Sequence, residues 1–290
     1  MPAHRARRPQ TPGLVRRIGT SVLGVACGFL LIAVGIVLAI KFFGGGGSQA
    51  SAAPSAPSVA AAPHIPVPSL DAATLAKLPR ATTMTRVKGA PVDTTTPSGG
   101  EVVKIQTNIA GFAKPGVNPI TVIPSKQIGD QTWLPIIGRD ANWIHVRLPS
   151  RPDGATAWIP GDGLRTAKTN WAVQISLSKG TMKVTKGGAT MGKWPIGQGK
   201  ASTPTPVGQT FLLAGFVDPT QTFSPVIYAL GTHSHTLDTF GGGPGTVAVH
   251  GWPTKAGRIG KVSHGCVRVP DGALATFKKL PSGTPIDITA

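Results

Sequence analysis

The longest apolar run of the chain lies near its N-terminus. Residues 18–40 are 23 positions without a charged side chain; five arginines precede them, and only Lys41 follows closely. A bilayer core needs about 20 such residues, whereas the apolar core of a secretory signal has about 7–15. The positive-inside rule then predicts a single-pass cell-membrane anchor at 18–40, with a cytoplasmic basic tail at 1–17 and all later residues outside the cell. A long, cleaved signal peptide is the alternative.

Small residues and proline replace the apolar run further along the chain. Residues 41–100 are rich in Gly, Ala and Pro, which is typical of a flexible linker. One short helix is predicted within it, from Ser69 to Leu78, because Pro79 ends the pattern.

Alternating apolar and polar positions dominate the rest of the chain, which predicts a mainly β protein. Residues 101–168 contain short runs split by Pro and Gly: VVKIQ, PITVIP, TWLPII, WIHVRLP and TAWIP. This spacing predicts a small β-barrel module with Trp133, Trp143 and Trp158 in its core. Residues 169–290 predict a second β-rich domain, in which one short helix begins with Asp271 as its cap.

The charge balance narrows the choice of partners. The chain carries 29 basic and 11 acidic residues; six of the basic residues lie in 1–41, so the remainder is still strongly basic. Such a surface favours a polyanion. Outside a membrane we expect anionic cell-wall polymers or lipid head groups and no nucleic acid. A merely solvated surface is the alternative.

The cysteines give the clearest chemical signal. Of the two, Cys27 lies inside the apolar run, so Cys266 has no plausible disulfide partner although it is predicted to lie outside the cell. Cys266 belongs to Ser263-His264-Gly265-Cys266, and His250 ends the run TVAVH before it. A lone thiol beside two histidines is a candidate nucleophile.

The spacing assigns different roles to the two histidines. His264 is two residues from Cys266, which constrains its geometry, whereas His250 lies on a separate strand and suits a general base. His264 and Ser263 are predicted to support the site by hydrogen bonds. Gly265 lets the chain turn, so that the N–H groups of Gly265 and Cys266 face a developing oxyanion.

A base normally needs an orienting partner. Residues 171–290 contain no Asn and no Glu, and the nearest aspartates in sequence are Asp238 and Asp271. The backbone carbonyl of Gly251 is the simplest acceptor, and a distant aspartate is the alternative.

These residues match a known pattern. VAVHG…SHGCVRV resembles the signature of L,D-transpeptidases of the YkuD type. TPTPVG at 203–208 resembles the Thr-Pro-x-Gly turn of that family, and GTPIDI at 283–288 resembles its terminal strand. WIHVRLP…GATAWI resembles the bacterial Src-homology-3-like modules found beside cell-wall enzymes.

The resemblance implies a β-sandwich-like catalytic domain at 169–290, with Cys266 as nucleophile and His250 as base. It also implies that Arg268, Tyr228 and Trp252 bind substrate. The expected reaction attacks a peptidoglycan tetrapeptide stem, releases D-alanine and forms a 3→3 crosslink without metal or cofactor, and carbapenems are expected to acylate the same thiol. The segment THSH at 232–235 departs from the pattern, and we expect it to form a lid that continues into FGGGPG.

Three other interpretations use the same residues. The liganding side chains could hold a metal ion, and these are His233, His235, His250, His264 and Cys266. A sortase-like cysteine transpeptidase would also be membrane-anchored, but usually separates its His and Cys more widely. A non-catalytic cell-wall-binding protein would leave the intact SHGC motif unexplained.

Overall fold

The computed structural model describes residues 63–290. The predicted basic tail, transmembrane helix and the first part of the predicted linker lie outside these residues. Between residues 63 and 290, no helix has the length and apolarity needed to cross a membrane.

Residues 63–290 contain two α-helices, one 3-10 turn and nineteen strands. The helices are α1 (Ala72–Lys77) and α2 (Asp271–Phe277), and the 3-10 turn is Ala256–Arg258. The strands are β1 (Glu101–Lys104), β2 (Ile109–Phe112), β3 (Pro119–Ile123), β4 (Lys126–Gln127), β5 (Asp130–Gln131), β6 (Trp133–Asp140), β7 (Trp143–Arg147), β8 (Thr156–Pro160), β9 (Thr166–Lys168), β10 (Trp171–Ser176), β11 (Thr181–Lys186), β12 (Ala189–Pro195), β13 (Gly197–Gly199), β14 (Gly208–Phe216), β15 (Ile227–His233), β16 (Thr246–His250), β17 (Gly260–Ser263), β18 (Val267–Arg268) and β19 (Pro285–Thr289). The prediction of a mainly β protein is confirmed.

The first module is built on a seven-stranded antiparallel sheet in the order β3-β2-β8-β7-β6-β1-β9. Its five predicted strands are present, whereas β2 and β9 were missed because IAGF and TAK are short runs without clear alternation. Trp143 is fully buried against Phe112, whereas Trp133 and Trp158 are half-buried, and Trp158 stacks on His145 with ring centroids 4.5 Å apart. The barrel closure predicted for this module stays a prediction.

The segment before this sheet differs from the predicted linker. Helix α1 forms within the predicted range, capped by the Asp71 side chain, which accepts a hydrogen bond from the Thr74 N–H at 2.6 Å. Beyond it, Ala81 and Val87 are buried in the core of the module. Residues 79–98 therefore pack against the sheet, because their apolar side chains complete its core.

The second module is a ten-stranded sheet in the order β12-β11-β10-β19-β14-β15-β16-β18-β13-β17. Three of its pairings are parallel: β10 with β19, β16 with β18, and β13 with β17. Helix α2 buries Ala273, Leu274 and Phe277 against this sheet.

The predicted cap of α2 is wrong. Pro270 occupies the cap position and no side chain caps the helix; Asp271 is the first helical residue and its carboxylate is 93% exposed. The proline sets an extended backbone at the cap, which moves Asp271 into the first turn. There a carboxylate interacts only with the helix dipole and with Arg258, 3.6 Å away.

Strand β14 belongs to the cores of both modules. Leu212 packs into the core of the ten-stranded sheet, whereas Phe211 and Leu213 pack into the core of the first module. Side chains alternate between the two faces of a strand, so one strand can serve both cores. The two modules are thus joined by a shared apolar layer and not only by the chain.

Candidate active site

His250 and Cys266 meet at the ends of two neighbouring parallel strands. In the register of β16 and β18, Val249 pairs with Val267 and His250 with Arg268. Cys266 directly precedes β18, and residues two apart on a strand lie on the same face. The register therefore places the side chains of Cys266, Arg268 and His250 on one face of the sheet.

The imidazole of His250 is buried and oriented by a backbone carbonyl. Its Nδ1 lies 2.6 Å from the carbonyl oxygen of Gly251, which can only accept, so Nδ1 carries the proton and Nε2 is left as the basic nitrogen. Burial lowers the pKa of His250 to about 4; the hydrogen bond to Gly251 opposes this, and the positive charge of Arg268 adds to it. At neutral pH the ring is neutral and able to take a proton.

The peptide that orients His250 is itself held by Ser224. The Gly251 N–H donates to Ser224 Oγ at 2.8 Å, and the hydroxyl donates to the Val226 carbonyl at 2.6 Å. A Cβ on Gly251 would lie 3.1 Å from Leu274 Cδ1 and 3.2 Å from Ser224 Oγ, so the position is also sterically tight. Ser224 thus fixes the carbonyl to which His250 is bonded.

The Cys266 thiol is half-buried and free of any disulfide. Burial raises its pKa, whereas the backbone N–H of Ala248 and the positive charge of Arg268 act in the opposite direction. A thiol with a raised pKa stays protonated at neutral pH unless a base removes the proton. Cys266 and a neutral His250 are therefore suited to transfer a proton between them during attack.

Arg268 and Trp252 form a stacked pair beside the thiol. The guanidinium carbon lies 3.4 Å from the centroid of a Trp252 ring, and Nη1 points to the Val262 carbonyl at 3.3 Å. Trp252 in turn packs against Phe223, whose ring centroid is 4.9 Å from that of His250. This arrangement holds a fixed positive charge and an aromatic wall at the site.

The turn before Cys266 is fixed by hydroxyl groups. Ser263 Oγ donates to the Cys266 carbonyl at 2.6 Å and accepts from the Gly265 N–H at 3.1 Å. Gly265 has φ of +117°, which a side chain would strain. From the segment 203–208, Thr205 Oγ1 donates to the Gly265 carbonyl at 2.8 Å and accepts from the Gly199 N–H at 2.9 Å.

This turn corrects one part of the predicted oxyanion site. The Gly265 N–H is engaged by Ser263 Oγ and so does not stand free for a developing oxyanion. Of the two predicted donors, the Cys266 N–H stays a prediction. Gly265 shapes the turn through its positive φ instead.

His264 is exposed and faces the loop predicted as a lid. Its ring centroid is 5.0 Å from that of Phe240, at an interplanar angle of 32°. We name residues 234–245, which follow β15, the Phe240 loop. Its tip reaches the residue two positions before the nucleophile.

Two groups that the sequence analysis singled out, one residue and one pair of residues, lie elsewhere. Tyr228 is a buried core residue that packs on Phe277, with ring centroids 5.4 Å apart, and burial raises its pKa. It pairs with Val249, the neighbour of His250, so it lies on the opposite face of the sheet. Its side chain therefore does not line the face that carries His250 and Cys266, and the substrate-binding role expected for Tyr228 stays a prediction.

The other is the pair His233 and His235, which both contact Asp153 of the first module. His235 Nε2 lies 2.9 Å from Asp153 Oδ2, and His233 Nε2 lies 2.8 Å from the Thr83 carbonyl. Within the described part of the chain, no group of three or more His, Cys, Asp or Glu side chains is arranged to hold a metal ion. These two histidines connect the modules.

Sequence reasoning missed three residues that build this site: Ser224, Thr205 and Phe240. Each acts through a contact with a residue 24 or more positions away. Thr205 lies in the segment 203–208 and Phe240 in FGGGPG, which the sequence analysis singled out without giving either residue a role. Phe240 is a large apolar residue beside a run of glycines, and this is the one local signal that could have marked an exposed contact.

Comparison with known proteins agrees with the geometry. Residues 170–288 match the model of the YkuD family, described as the L,D-transpeptidase catalytic domain. No curated protein matches the chain.

Solved structures similar to this one include an L,D-transpeptidase from Mycobacterium smegmatis, with 19% identity and a TM-score of 0.34, covering 51% of this chain and 91% of that chain. L,D-transpeptidase 3 from Mycobacterium tuberculosis, in complex with a faropenem-derived adduct, has 18% identity and a TM-score of 0.37, covering 48% and 75%. The LD transpeptidase LdtMt1 in complex with imipenem has 17% identity and a TM-score of 0.35, covering 51% and 91%. At these values the likeness is distant. The similarity to the family stands on the sequence: residues 170–288, less than half of the chain, match the L,D-transpeptidase catalytic domain model.

Proposed function

We propose that this protein is a peptidoglycan L,D-transpeptidase in which Cys266 is the nucleophile and His250 the base. The observation that carries the proposal is the hydrogen bond of 2.6 Å from His250 Nδ1 to the Gly251 carbonyl, on a strand beside that of Cys266. It leaves Nε2 unprotonated on a ring that burial keeps neutral, which is the state that a general base requires.

The first half of the reaction is acylation. His250 Nε2 takes the proton from Cys266 Sγ as the sulfur attacks the carbonyl carbon of the third residue of a tetrapeptide stem. The tetrahedral intermediate collapses, the C–N bond to the terminal D-alanine breaks, and His250 returns the proton to the leaving amine. The products are a thioester on Cys266 and free D-alanine.

The second half transfers the acyl group. The amine of another stem attacks the thioester carbon and loses a proton to His250; the C–S bond then breaks, and the proton returns to the thiolate. The new amide is a 3→3 crosslink. Since a carbonyl and not a carboxylate orients His250, the site carries no fixed negative charge that would repel the stem carboxylates.

Arg268 supports binding of an anionic donor. Its guanidinium is fixed by stacking on Trp252, and its Nε is buried without a hydrogen-bond partner among residues 63–290. The fixed positive charge beside the thiol suits an anionic or carbonyl oxygen of the donor. Arg268 and Trp252 therefore stay in the proposed substrate site.

The N-terminal sequence supports a proposed cellular location for the catalytic domain. A single-pass helix at 18–40 would hold the catalytic domain on the wall side of the cell membrane, where its substrate lies. The excess of basic residues beyond the anchor suits anionic wall polymers as further partners. Protease added to intact cells should release the catalytic domain, and a mature form that begins after the apolar run would contradict the anchor.

Mass spectrometry of the purified protein tests the proposed function. Incubation with a tetrapeptide stem should release D-alanine and add the tripeptide acyl mass to Cys266, and a carbapenem should add its own mass to the same residue. A sortase-like enzyme would instead form a thioester with a protein sorting peptide. Absence of any stem adduct, with Cys266 still alkylated by iodoacetamide, would falsify the transpeptidase assignment.

A further inference from the structure

The Phe240 loop is closed on itself at its base. The Ser234 N–H donates to the Gly245 carbonyl at 2.9 Å, and Ser234 Oγ accepts from the Leu237 N–H at 3.1 Å. Between these ends the loop is rich in glycine, with Gly241, Gly242 and Gly245 at positive φ. Apart from these bonds and the reciprocal backbone hydrogen bonds between Phe240 and Gly243 at its tip, a loop of this composition has few internal restraints on its conformation.

An arginine of the first module, Arg151, holds the Phe240 loop in one conformation. The Arg151 guanidinium donates to three carbonyls of the loop, those of Pro244 at 2.8 Å, Leu237 at 3.1 Å and Asp238 at 3.2 Å. Its side chain is only 13% exposed, so these bonds are largely shielded from water. A planar guanidinium can bond several carbonyls at once, which a lysine cannot reproduce.

Asp153, two residues on, holds the strand that enters the loop. Its Oδ1 accepts from the His233 N–H at 2.8 Å and its Oδ2 lies 2.9 Å from His235 Nε2. Although burial alone would raise the pKa of Asp153, hydrogen bonds from His233 and Thr232 lower it below its usual value, so the carboxylate is charged. Arg151 and Asp153 therefore hold both ends of the loop from the same turn.

The tip of the Phe240 loop contacts the turn that precedes Cys266. The Phe240 ring, 53% exposed, lies against His264, and His264 is separated from Cys266 only by Gly265. The two rings therefore lie beside the turn that carries Cys266.

We propose that Arg151 and Asp153 of the first module are positioning residues for the catalytic site: they hold the Phe240 loop against His264 and so build one wall of the donor site. The first module is then part of the catalytic apparatus and not merely an attachment. This rests on the proposed function for its substrate, but the clamp itself is a property of the fold.

The test compares Arg151→Ala with Arg139→Ala in the full chain. Arg139 is a matched control, because it belongs to the same module and pairs with Glu101 at 3.2 Å on an exposed surface. Arg151→Ala should speed hydrogen–deuterium exchange of residues 234–245 and lower kcat/KM for acylation by a tetrapeptide stem by about tenfold, mainly through KM. Alkylation of Cys266 by iodoacetamide should stay within about twofold, because His250 and Cys266 are untouched.

Two further variants keep the test decisive. Phe240→Ala leaves Arg151 in place and removes only the tip, so it should lower stem acylation while exchange in the rest of the loop stays near that of the wild type. Arg151→Lys should recover only part of the acylation rate.

Unchanged exchange in Arg151→Ala would overturn the clamp, and so would unchanged acylation despite faster exchange. An equal fall in iodoacetamide reactivity would also overturn it, since Arg151 would then act on the nucleophile. A wild-type protein that is not acylated by the stem contradicts the proposed function instead, and the exchange comparison still decides whether Arg151 holds the loop.

Discussion

The proposed catalytic pair, His250 and Cys266, and the Phe240 loop are neighbours in the fold, since Phe240 contacts His264, but they are held in opposite ways. His250 and Cys266 are placed by the register of β16 and β18 within one sheet. The Phe240 loop is placed by Arg151 and Asp153, which come more than 80 positions earlier in the chain. In the proposed function, the reactive pair therefore belongs to the second module alone, whereas the proposed wall beside it depends on the first.

Removal of the proposed nucleophile has the largest expected effect on acylation. It should affect the proposed catalytic pair and leave the Phe240 loop unchanged. Cys266→Ala should abolish adducts with stem and carbapenem, because the attacking sulfur is gone, and should leave exchange in the Phe240 loop unchanged. Intact-mass spectrometry and hydrogen–deuterium exchange measure the two results. A persisting adduct would place the nucleophile elsewhere.

Loss of the base should be nearly as severe and should depend on pH. His250→Ala should slow alkylation of Cys266 at neutral pH by about 10²–10⁴-fold and recover as pH rises, since the thiol then ionises unaided. In the wild type, the rate should fall as pH falls through about 4, where His250 becomes protonated. His145→Ala, a half-buried histidine of the first module, is the control. If His264→Ala gave this pH-dependent loss and His250→Ala did not, the base would be misassigned.

The same histidine predicts how stability depends on pH. The unfolded ring has its ordinary pKa of about 6.5, while the folded ring has a pKa of about 4. Between these values the unfolded state binds more protons, so the free energy of unfolding falls as pH falls through this window, by ~3 kcal/mol at most. Urea unfolding at pH 7 and pH 4.5 should show a smaller difference in His250→Ala than in the wild type.

Ser224→Ala should give an intermediate loss. Without the hydroxyl, the Gly251 N–H loses its acceptor and the peptide that orients His250 is freed, so acylation should slow by about tenfold. The loss should appear with iodoacetamide as well as with the stem, in contrast to Arg151→Ala. Ser178→Ala, at an exposed serine bonded to the Ala290 carbonyl, should have no effect on either reaction.

Substitution of Asp238 or Asp271 should have the smallest effect on acylation. Because a carbonyl orients His250, Asp271→Asn and Asp238→Asn should keep acylation within about tenfold, far from the roughly 10⁴-fold loss that follows when a triad aspartate becomes an amide. Asp271→Ala should change the free energy of unfolding by less than ~1 kcal/mol, since its side chain caps nothing. A collapse of acylation in either Asn variant, with the protein folded, would reveal a carboxylate triad.

The sequence predicted those parts of the candidate site that depend on short segments of the chain. The SHGC motif and the apolar run before His250 predicted a thiol and a base at strand ends, and the lack of Asn and Glu pointed to the Gly251 carbonyl, to which His250 is indeed bonded. Many strands of both modules also followed from local alternation, although β2 and β9 did not.

The residues that were missed or misplaced depend on distant contacts. Tyr228 lies on β15, which is buried on both faces, so its sequence shows no alternation that would tell the core side from the site side. Ser224 and Arg151 have no motif, and their roles exist only because folding brings distant backbone groups to them. The region before residue 100 has the composition of a linker. It nevertheless packs against the seven-stranded sheet, because apolar residues such as Ala81 and Val87 are buried in the core of the first module.

The shared strand β14 has a consequence for how the protein melts. Its alternate side chains complete two cores, so neither module can lose its packing without exposing apolar surface of the other. The two modules should therefore unfold in a single cooperative transition. A fragment starting at residue 169 would expose Phe211 and Leu213, and this apolar patch should promote self-association.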